Sequence, residues 1–277
     1  MQADTVLPAF FIAMFSNFEF LGRELSAYAV CVFVGVIVVT LFICLEPGKH
    51  GMSEYRAIVM HMVGAAGVFI GMHLMYGVTM YKKLFALVRD IGSLGSFAEL
   101  LTRLNEIFGG AVFYGGLLGG LLAAAICYRK MKLTPEYSDL GACSIPLFHF
   151  FGRIGCFLTG CCYGVECPVG FTYHHAIDEA ANGVSRFPVQ LLEAGFNVFL
   201  FILLLSLFKR GKLKGRLLRL YLVLYPAFRF ADEFLRGDNI RGSLWGLSTS
   251  QWISLMILAA VLAYTIAARG KKTQKSF

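Results

Sequence analysis

The sequence has few charged residues for its length. Only 15% of its 277 residues are Asp, Glu, Lys or Arg, whereas 57% are hydrophobic. A soluble globular domain carries about a quarter charged residues, so the composition excludes that class. Several stretches of roughly 20 apolar residues are long enough to cross a bilayer as helices. The composition therefore predicts an all-α polytopic membrane protein that forms a single integral membrane domain over residues 1–277.

Three further features are missing from the sequence. Residues 1–23 have no basic segment at their start and contain Pro8, Asn17 and Glu19, so no cleavable signal peptide is expected. No convincing internal repeat is present, which disfavours a transporter built from inverted repeats. No Cys-x-x-Cys pair occurs, which disfavours a thiol-redox protein.

The basic residues follow a membrane pattern. There are 25 Lys and Arg against 17 Asp and Glu, a net charge of +8, but most of the excess lies in a few short loops. Those loops cover residues 46–56, 129–138 and 209–219 and the C-terminal tail. The positive-inside rule places such loops in the cytoplasm. The charge therefore indicates membrane orientation, and no nucleic-acid partner is predicted.

Hydropathy together with these loops predicts about seven transmembrane helices, with the N terminus outside and the C terminus in the cytoplasm. The predicted spans are residues 25–45, 56–76, 108–128, 139–161, 187–208, 217–236 and 250–268. Three accessory segments are also expected. They are a short interfacial helix within residues 1–24, an amphipathic surface arm over residues 77–108 that hinges near residues 92–95, and a hydrophilic outer-face insert at residues 163–187.

The fourth predicted span ends in residues that lipid would not tolerate. A charged side chain near the bilayer centre costs about 2.5–3.5 kcal/mol, so Arg153 is expected to face protein or water and to have an anionic partner. His149, Arg153 and Cys156 share one helical face. Gly152 and Gly155 would let a helix or a ligand approach the backbone. These residues predict a polar pocket at the end of a transmembrane helix.

The sixth predicted span carries a second charged group near its outer end. Arg229, Asp232, Glu233 and Arg236 are spaced i, i+3, i+4 and i+7, which places them on one helical face. One interpretation is an internal ion-pair network that holds helices together. The other is a binding site for an anionic head group, because guanidinium groups bind phosphate oxygens in a bidentate manner.

Four of the eight cysteines lie within twelve positions: Cys156, Cys161, Cys162 and Cys167. Gly160 and Gly164 predict that the helix breaks around the adjacent pair. Several interpretations of the thiols stay open. They are a disulfide to Cys156 or Cys167, a metal site of Cys161, Cys162 and Cys167 with His174 or His175, a reactive thiol, and small pocket residues. The spacing fits no standard zinc pattern, and no metal or cofactor is predicted.

Four motifs follow one another along the chain. They are Tyr114-Gly-Gly-Leu-Leu-Gly119, Gly152-Arg153-Ile-Gly155-x-Phe157-x-x-Gly160-x-x-x-Gly164, Arg186-Phe-Pro188-Val-Gln190-Leu-Leu-Glu193 and Tyr225-x3-Arg229-x3-Glu233-x2-Arg236-x-Asp238. Together they resemble the prolipoprotein diacylglyceryl transferase family. The resemblance extends from about residue 25 to the end, and implies seven spans in the bacterial plasma membrane.

The resemblance implies a reaction and a set of site residues. Members move the diacylglyceryl group of phosphatidylglycerol to the lipobox cysteine thiol of a prolipoprotein and release glycerol phosphate. By this likeness Arg153 and Arg229 would hold the lipid phosphate, and Tyr114 would stand near the reacting carbon. The remaining substrate-binding residues implied or expected are Gly115, Gly116, Gly152, Gly155, Cys156, Arg186, Gln190, Glu193, Glu233 and Arg236.

The sequence departs from the family pattern at several motif positions. Tyr114 replaces the His of the His-Gly-Gly motif, Cys156 and Thr159 replace Asn, Cys161 replaces Glu, and Phe187 replaces His. A tyrosine with a pKa near 10 is a poor base for a thiol with a pKa near 8.5. His149, one turn before Arg153, is therefore a further catalytic candidate, although a structural hydrogen bond to a backbone carbonyl would also explain it.

Two alternative functions follow from these departures. The first keeps the fold and an anionic phospholipid donor but uses an acceptor other than a lipoprotein. The second is a non-catalytic lipid-binding or transport membrane protein. The insert of about 25 residues is small for docking a peptide, so it does not separate these possibilities.

Overall fold

The computed structural model describes residues 17–20, 23–90, 92, 94–110, 112–238 and 243–274. Most of these residues are helical, which confirms the predicted all-α membrane class. The α-helices are α1 (Ala27–Leu45), α2 (Glu54–Thr79), α3 (Tyr81–Asp90), α4 (Phe97–Phe108), α5 (Phe113–Lys130), α6 (Pro135–Thr159), α7 (Val189–Lys209), α8 (Leu217–Asp232) and α9 (Thr249–Gln274).

Five helical segments among the described residues are long and apolar enough to cross a membrane. They lie at Ala27–His50, Glu54–Thr79, Pro135–Thr159, Val189–Lys209 and Thr249–Ala268. The third and sixth predicted spans correspond to α5 and α8, which are shorter, with 18 and 16 residues. The count of seven spans therefore stays a prediction.

Short antiparallel strands form three hairpins. They pair β1 (Asn17–Phe20) with β2 (Arg23–Ser26), β3 (Glu166–Thr172) with β4 (Ser185–Arg186), and β5 (Ser243–Leu244) with β6 (Leu247–Ser248). The short helix predicted within residues 1–24 is therefore wrong for 17–20 and 23–24, where backbone groups pair across strands instead. Residues 1–16 and 21–22 lie outside the described part of the chain.

The structure divides into two compact units, one drawn from the chain up to Phe42 and from Ser138 onward, the other from Ile43–Tyr137. In the second unit, α3 and α4 fall within residues 77–108, where an amphipathic surface arm is predicted. Residue 93 of the expected hinge lies outside the described residues. The location of this arm at the membrane surface stays a prediction.

Helices α2 and α5 of the second unit approach closely because glycines line their contact. Side chains added at Gly67 or Gly71 would collide with the backbone of Gly119 or Gly115. The backbone amide of Val112 also donates a hydrogen bond to the carbonyl of Met72, at 3.1 Å. Small residues at such positions let helix backbones pack against each other in a membrane. Gly115 and Gly116 are buried in this contact.

Replacing Gly71 with alanine is expected to destabilise the protein by about 1–3 kcal/mol, because the new methyl group overpacks the α2–α5 contact. In an unobstructed helix the same substitution gains up to about 1 kcal/mol. Gly195→Ala is the matched control, because a Cβ at Gly195 meets no atom within 4 Å. Thermal unfolding of the detergent-purified variants checks this, and equal midpoints for both would contradict the packing argument.

The insert at residues 163–187 folds around a small core of its own in the first unit. Tyr163, Tyr173 and Ala181 are buried together. The Asp178 side chain accepts a hydrogen bond from the amide of Ala180 and caps a single 3₁₀ turn, Glu179–Ala181. The insert is thus a folded hairpin that follows α6 directly.

Candidate functional site

Helix α6 carries Arg153 and ends at Thr159, as predicted from the glycines that follow. Gly160 adopts a left-handed backbone conformation, with φ of 70°, which terminates the helix. The Thr159 hydroxyl donates to the carbonyl of Gly155 at 2.9 Å, within the last turn. Arg153 therefore lies less than two turns from the helix end and is buried there.

Glu193 of α7 is the anionic partner that Arg153 was predicted to need. Its Oε2 lies 2.9 Å from Nε of Arg153, and its Oε1 accepts a hydrogen bond of 2.8 Å from the Tyr225 hydroxyl. His149 approaches the same Oε1 with Nε2 at 3.7 Å, and its ring lies against that of Tyr225. Only 1% of Glu193 is exposed. Three helices of the first unit thus converge on one buried carboxylate.

A second polar group is centred on Arg229 of α8. Its Nη1 lies 3.1 Å from Oδ2 of Asp232, and its Nη2 contacts Glu233 and lies 3.4 Å from the Ser250 hydroxyl of α9. Arg229 is buried, so both carboxylates offset a charge that is removed from water. The predicted charged face therefore exists as an ion-pair network at the end of α8.

Arg236 extends this network beyond the helix. Its guanidinium donates to the Asp238 carboxylate at 2.8 and 2.6 Å and lies 3.8 Å from Oε2 of Glu233. Such a bidentate pair fixes the plane of the guanidinium. Arg229 also interacts electrostatically with Glu193, so the two polar groups form one electrostatic unit.

Backbone pairing ties the insert to the end of α8. The amide of Val165 donates to the carbonyl of Leu235 at 2.9 Å, and the amide of Gly237 donates to the carbonyl of Tyr163 at 3.0 Å. Gly164 lies between the carbonyls of Leu235 and Phe187, where any side chain would collide. This crossing explains the glycine at the end of the second motif and positions Arg236.

Gln190, at the start of α7, holds the chain that leaves α6. Its Nε2 donates to the carbonyl of Cys161 at 2.9 Å and to the Tyr173 hydroxyl at 3.3 Å. Burial raises the pKa of the Tyr173 hydroxyl, which therefore stays protonated at neutral pH. The third motif thus fixes the backbone next to the cysteines.

Other predicted site residues have different surroundings. Nη2 of Arg186 donates to the carbonyl of Ala180 at 2.6 Å, and its guanidinium lies 4.3 Å from the centre of the Tyr163 ring. Gly155 packs against Tyr28 of α1, whereas a side chain at Gly152 would meet no atom within 4 Å. Arg186 therefore contacts the insert, and its binding role stays a prediction.

The first motif belongs to the second unit. The backbone of Tyr114 lies in α5, one residue after the helix begins, but its side chain is outside the described residues. Gly115 and Gly116 face α2, as described above. Their roles toward substrate stay predictions.

Three of the clustered cysteines come together. The sulfur atoms of Cys156, Cys161 and Cys162 all lie within 4.8 Å of one another, and no disulfide joins any of the cysteines in the described part of the chain. Cys167 is not part of this group, and its Sγ donates to the carbonyl of Val169 at 3.3 Å. The structure therefore shows neither the suggested disulfide nor the suggested ligand set with Cys167, among the described residues.

Several residues of the site were noted in the sequence but given no role in binding or catalysis there, and one was not noted. Tyr225 and Asp232 had a signal, since they lie one turn on either side of Arg229 on the same helix. Ser250 had none, because a single serine in an apolar span is ordinary. Cys161 and Cys162 were noted for their crowding, but only the fold shows that they turn back toward Cys156.

Comparison with known proteins places this chain in a family. The sequence profile of the family described as Prolipoprotein diacylglyceryl transferase matches residues 16–267, which is most of the chain. The chain belongs to this family. It is 32% identical over 255 residues to phosphatidylglycerol–prolipoprotein diacylglyceryl transferase 2 of Clostridium perfringens, covering 90% of this chain and 93% of that one.

Further prolipoprotein diacylglyceryl transferases are similar. The Clostridium tetani protein is 31% identical over 253 residues, covering 90% of this chain and 96% of that one. The Bordetella bronchiseptica protein is 35% identical over 181 residues, covering 62% of this chain and 68% of that one. The resemblance drawn from four short motifs is therefore confirmed over nearly the whole chain.

Proposed function

We propose that this protein transfers the diacylglyceryl group of phosphatidylglycerol to the lipobox cysteine thiol of a prolipoprotein and releases glycerol phosphate. Family membership supports the reaction. The observation that supports this reaction for the present chain is the set of contacts made by the Arg153 guanidinium. Glu193 lies 2.9 Å from its Nε, and the other two nitrogens of the guanidinium are Nη1, which lies 3.9 Å from Sγ of Cys156, and Nη2. Those two donors suit the oxygens of a lipid phosphate.

The chemistry requires an anionic leaving group to be stabilised. A thiolate attacks the glyceryl carbon, the carbon–oxygen bond breaks, and the electron pair leaves with the phosphate. Arg153 and Arg229 would bind that phosphate as its charge grows, since fixed cations in a site of low polarity stabilise such a transition state. Glu193, Glu233 and Arg236 would hold the two arginines in place.

Further residues of the family motifs would contribute to substrate binding. We assign to this role Gly115, Gly116, Gly152, Gly155, Cys156, Arg186 and Gln190, with Tyr114 near the reacting carbon. His149 is the candidate base, although its Nε2 faces Glu193 at 3.7 Å. These assignments rest on the motifs they occupy.

The membrane arrangement is also proposed. Seven spans would place the basic loops in the cytoplasm and the N terminus outside, with the insert on the outer face of the bacterial inner membrane. The surface arm, formed by α3 and α4, and the seven spans would make one integral membrane domain. Cysteine accessibility labelling of Lys132→Cys and Val169→Cys, in intact cells and in lysed cells, would test this sidedness. In intact cells, we expect the cysteine at position 169 to be labelled and the cysteine at position 132 to be protected from labelling.

A direct transfer assay tests the function. Purified protein is mixed with phosphatidylglycerol labelled in its acyl chains and with a lipobox peptide, beside a peptide in which serine replaces the cysteine. Label on the cysteine peptide alone, with glycerol phosphate released, is the expected result. Release of glycerol phosphate without labelling of the peptide would mean that the acceptor is a molecule other than the lipobox peptide. Absence of both products from folded protein that binds the lipid would favour a lipid-binding role.

A further inference from the structure

The chain that leaves α6 is shaped to bring Cys161 and Cys162 back beside Cys156. Gly160 and Cys162 both adopt left-handed conformations, with φ of 70° and 59°. The left-handed conformation is strained for a cysteine, and such strain is concentrated at ligand-binding and catalytic sites. Gln190 secures the turn through the carbonyl of Cys161. The turn therefore positions three sulfur atoms within 4.8 Å of one another.

Two arginine side chains interact with the cysteine cluster. Nη1 of Arg153 lies 3.9 Å from Sγ of Cys156, and Arg236 interacts electrostatically with Cys162. The thiolate is the form in which cysteine binds metal ions. The cluster thus has the spacing of a set of metal ligands.

We propose that Cys156, Cys161 and Cys162 bind a Zn²⁺ ion whose fourth position receives the acceptor's cysteine thiol. This inference rests on the proposed transfer reaction and adds the means by which the acceptor is activated. Three protein ligands with one open position are the arrangement of catalytic zinc sites. Soft thiolate ligands select zinc over hard cations such as Mg²⁺.

The proposed reaction balances without any redox change. The acceptor thiol binds zinc and loses its proton to water, because a coordinating thiol is deprotonated. Its sulfur then attacks the glyceryl carbon, a carbon–sulfur bond forms, and the carbon–oxygen bond to the phosphate breaks. The phosphodiester leaves as a glycerol phosphate monoester beside Arg153. The thioether product is neutral, binds zinc weakly and dissociates.

The proposal accounts for three departures from the family pattern together. Tyr114 stands where the family has histidine, so the motif lacks a base for the acceptor thiol. Cys156 and Cys161 stand where the resemblance described above leads to the expectation of Asn and Glu. A metal ion that deprotonates the thiol would supply the activation that Tyr114 does not. This chain thus lacks the histidine of the motif and has two cysteines that can act as metal ligands.

A covalent relay through one of these cysteines does not explain the cluster. Transfer of the diacylglyceryl group to Cys162 would form a thioether, and a second transfer would have to break its carbon–sulfur bond. An alkyl thiolate is a far poorer leaving group than the phosphate it replaced. Activation of the acceptor's own sulfur avoids this step.

Metal content and zinc-edge X-ray absorption of the full-length protein in detergent test the proposal directly. We expect about one zinc per chain with three sulfur neighbours at about 2.3 Å. A lipobox peptide should raise the number of sulfur neighbours to four, whereas the serine peptide should leave it at three. Protein purified reduced that contains no zinc and takes up none, or whose zinc gains no sulfur from the peptide, would overturn the proposal.

Single serine substitutions locate the site. Cys156→Ser, Cys161→Ser and Cys162→Ser should each lower zinc content and transfer at least tenfold, whereas Cys167→Ser should keep both. Chelator treatment of the native protein should abolish transfer, and added Zn²⁺ should restore it. Transfer that survives complete zinc removal would overturn this inference while leaving the proposed function intact. Zinc binding with peptide coordination but no transfer would instead count against the proposed function alone.

A disulfide is the competing state of the same cysteines. Mass spectrometry after alkylation of the denatured active protein counts its free thiols. Eight alkylated cysteines are expected if zinc occupies the cluster. A Cys156–Cys161 or Cys156–Cys162 disulfide in the active enzyme would overturn the proposal.

Discussion

Replacing Arg153 with alanine is expected to lower the rate of diacylglyceryl transfer by about 10²–10³-fold, the usual cost of removing one preorganised group that stabilises transition-state charge. The reason is that Arg153 is buried, is held at Nε by Glu193, and offers two further donors to the phosphate. Transfer of labelled diacylglyceryl to a lipobox peptide measures the effect. Arg153→Lys should recover only part of the rate, because lysine keeps the charge but lacks the planar guanidinium that can donate two hydrogen bonds to one phosphate.

Loss of charge balance around Glu193 has to be separated from loss of phosphate binding. The double variant Arg153→Ala with Glu193→Gln removes both charges of the pair and should be more stable than Arg153→Ala alone. Its transfer rate should stay low if Arg153 contacts the phosphate. Arg219→Ala is a control on α8, because Arg219 contacts the ring of Tyr264 outside the site. Recovery of transfer in the double variant would refute the phosphate assignment.

Replacing Glu193 with glutamine is expected to reduce the free energy of unfolding by about 3–5 kcal/mol, the cost of leaving a buried charge without its partner. The side chain of Glu193 forms an ion pair with Arg153 at 2.9 Å and accepts a hydrogen bond from Tyr225 at 2.8 Å, and it is almost fully buried. Glutamine retains one acceptor oxygen but no charge. Equilibrium unfolding in mixed micelles provides the measurement.

Two further variants provide a comparison for the size of this loss of stability. Tyr225→Phe removes one hydrogen bond to a charged group and should cost about 1.5–3 kcal/mol. Glu106→Gln breaks an exposed pair, whose Lys83 and Glu106 side chains are both 55% exposed, and should cost about 0–1 kcal/mol. If Glu193→Gln proves no more destabilising than Glu106→Gln, then Glu193 does not compensate a buried arginine.

The helices and their order were largely predictable from the sequence. Apolar stretches bounded by Pro47-Gly48 and by the Lys132 region gave spans that match α1, α2, α6, α7 and α9 within a few residues. Helices α5 and α8 were also predicted, but as longer segments than the 18 and 16 residues that they contain. The strands at 17–20 and 23–26 were not predicted, because their structure depends on pairing between the two segments and not on the pattern within either one.

The site was predictable in its parts and not in its partners. Arg153 was selected because a charge in an apolar span requires compensation, and Arg229 because its charged neighbours recur at helical spacing. Which carboxylate compensates Arg153 could not be known, since Glu193 lies on another helix. The same holds for Ser250, which contacts Arg229 from α9.

The sequence by itself determined the class of protein, the order of its helices and the family, because hydropathy, loop charge and four spaced motifs are properties of local sequence. The tertiary structure decided which charges pair and which thiols meet. Glu193 is joined to Arg153, His149 and Tyr225, and Cys161 and Cys162 are turned back onto Cys156. These arrangements depend on helix packing and on two left-handed residues at the end of α6, which bring together side chains whose spacing along the chain does not reveal their contact.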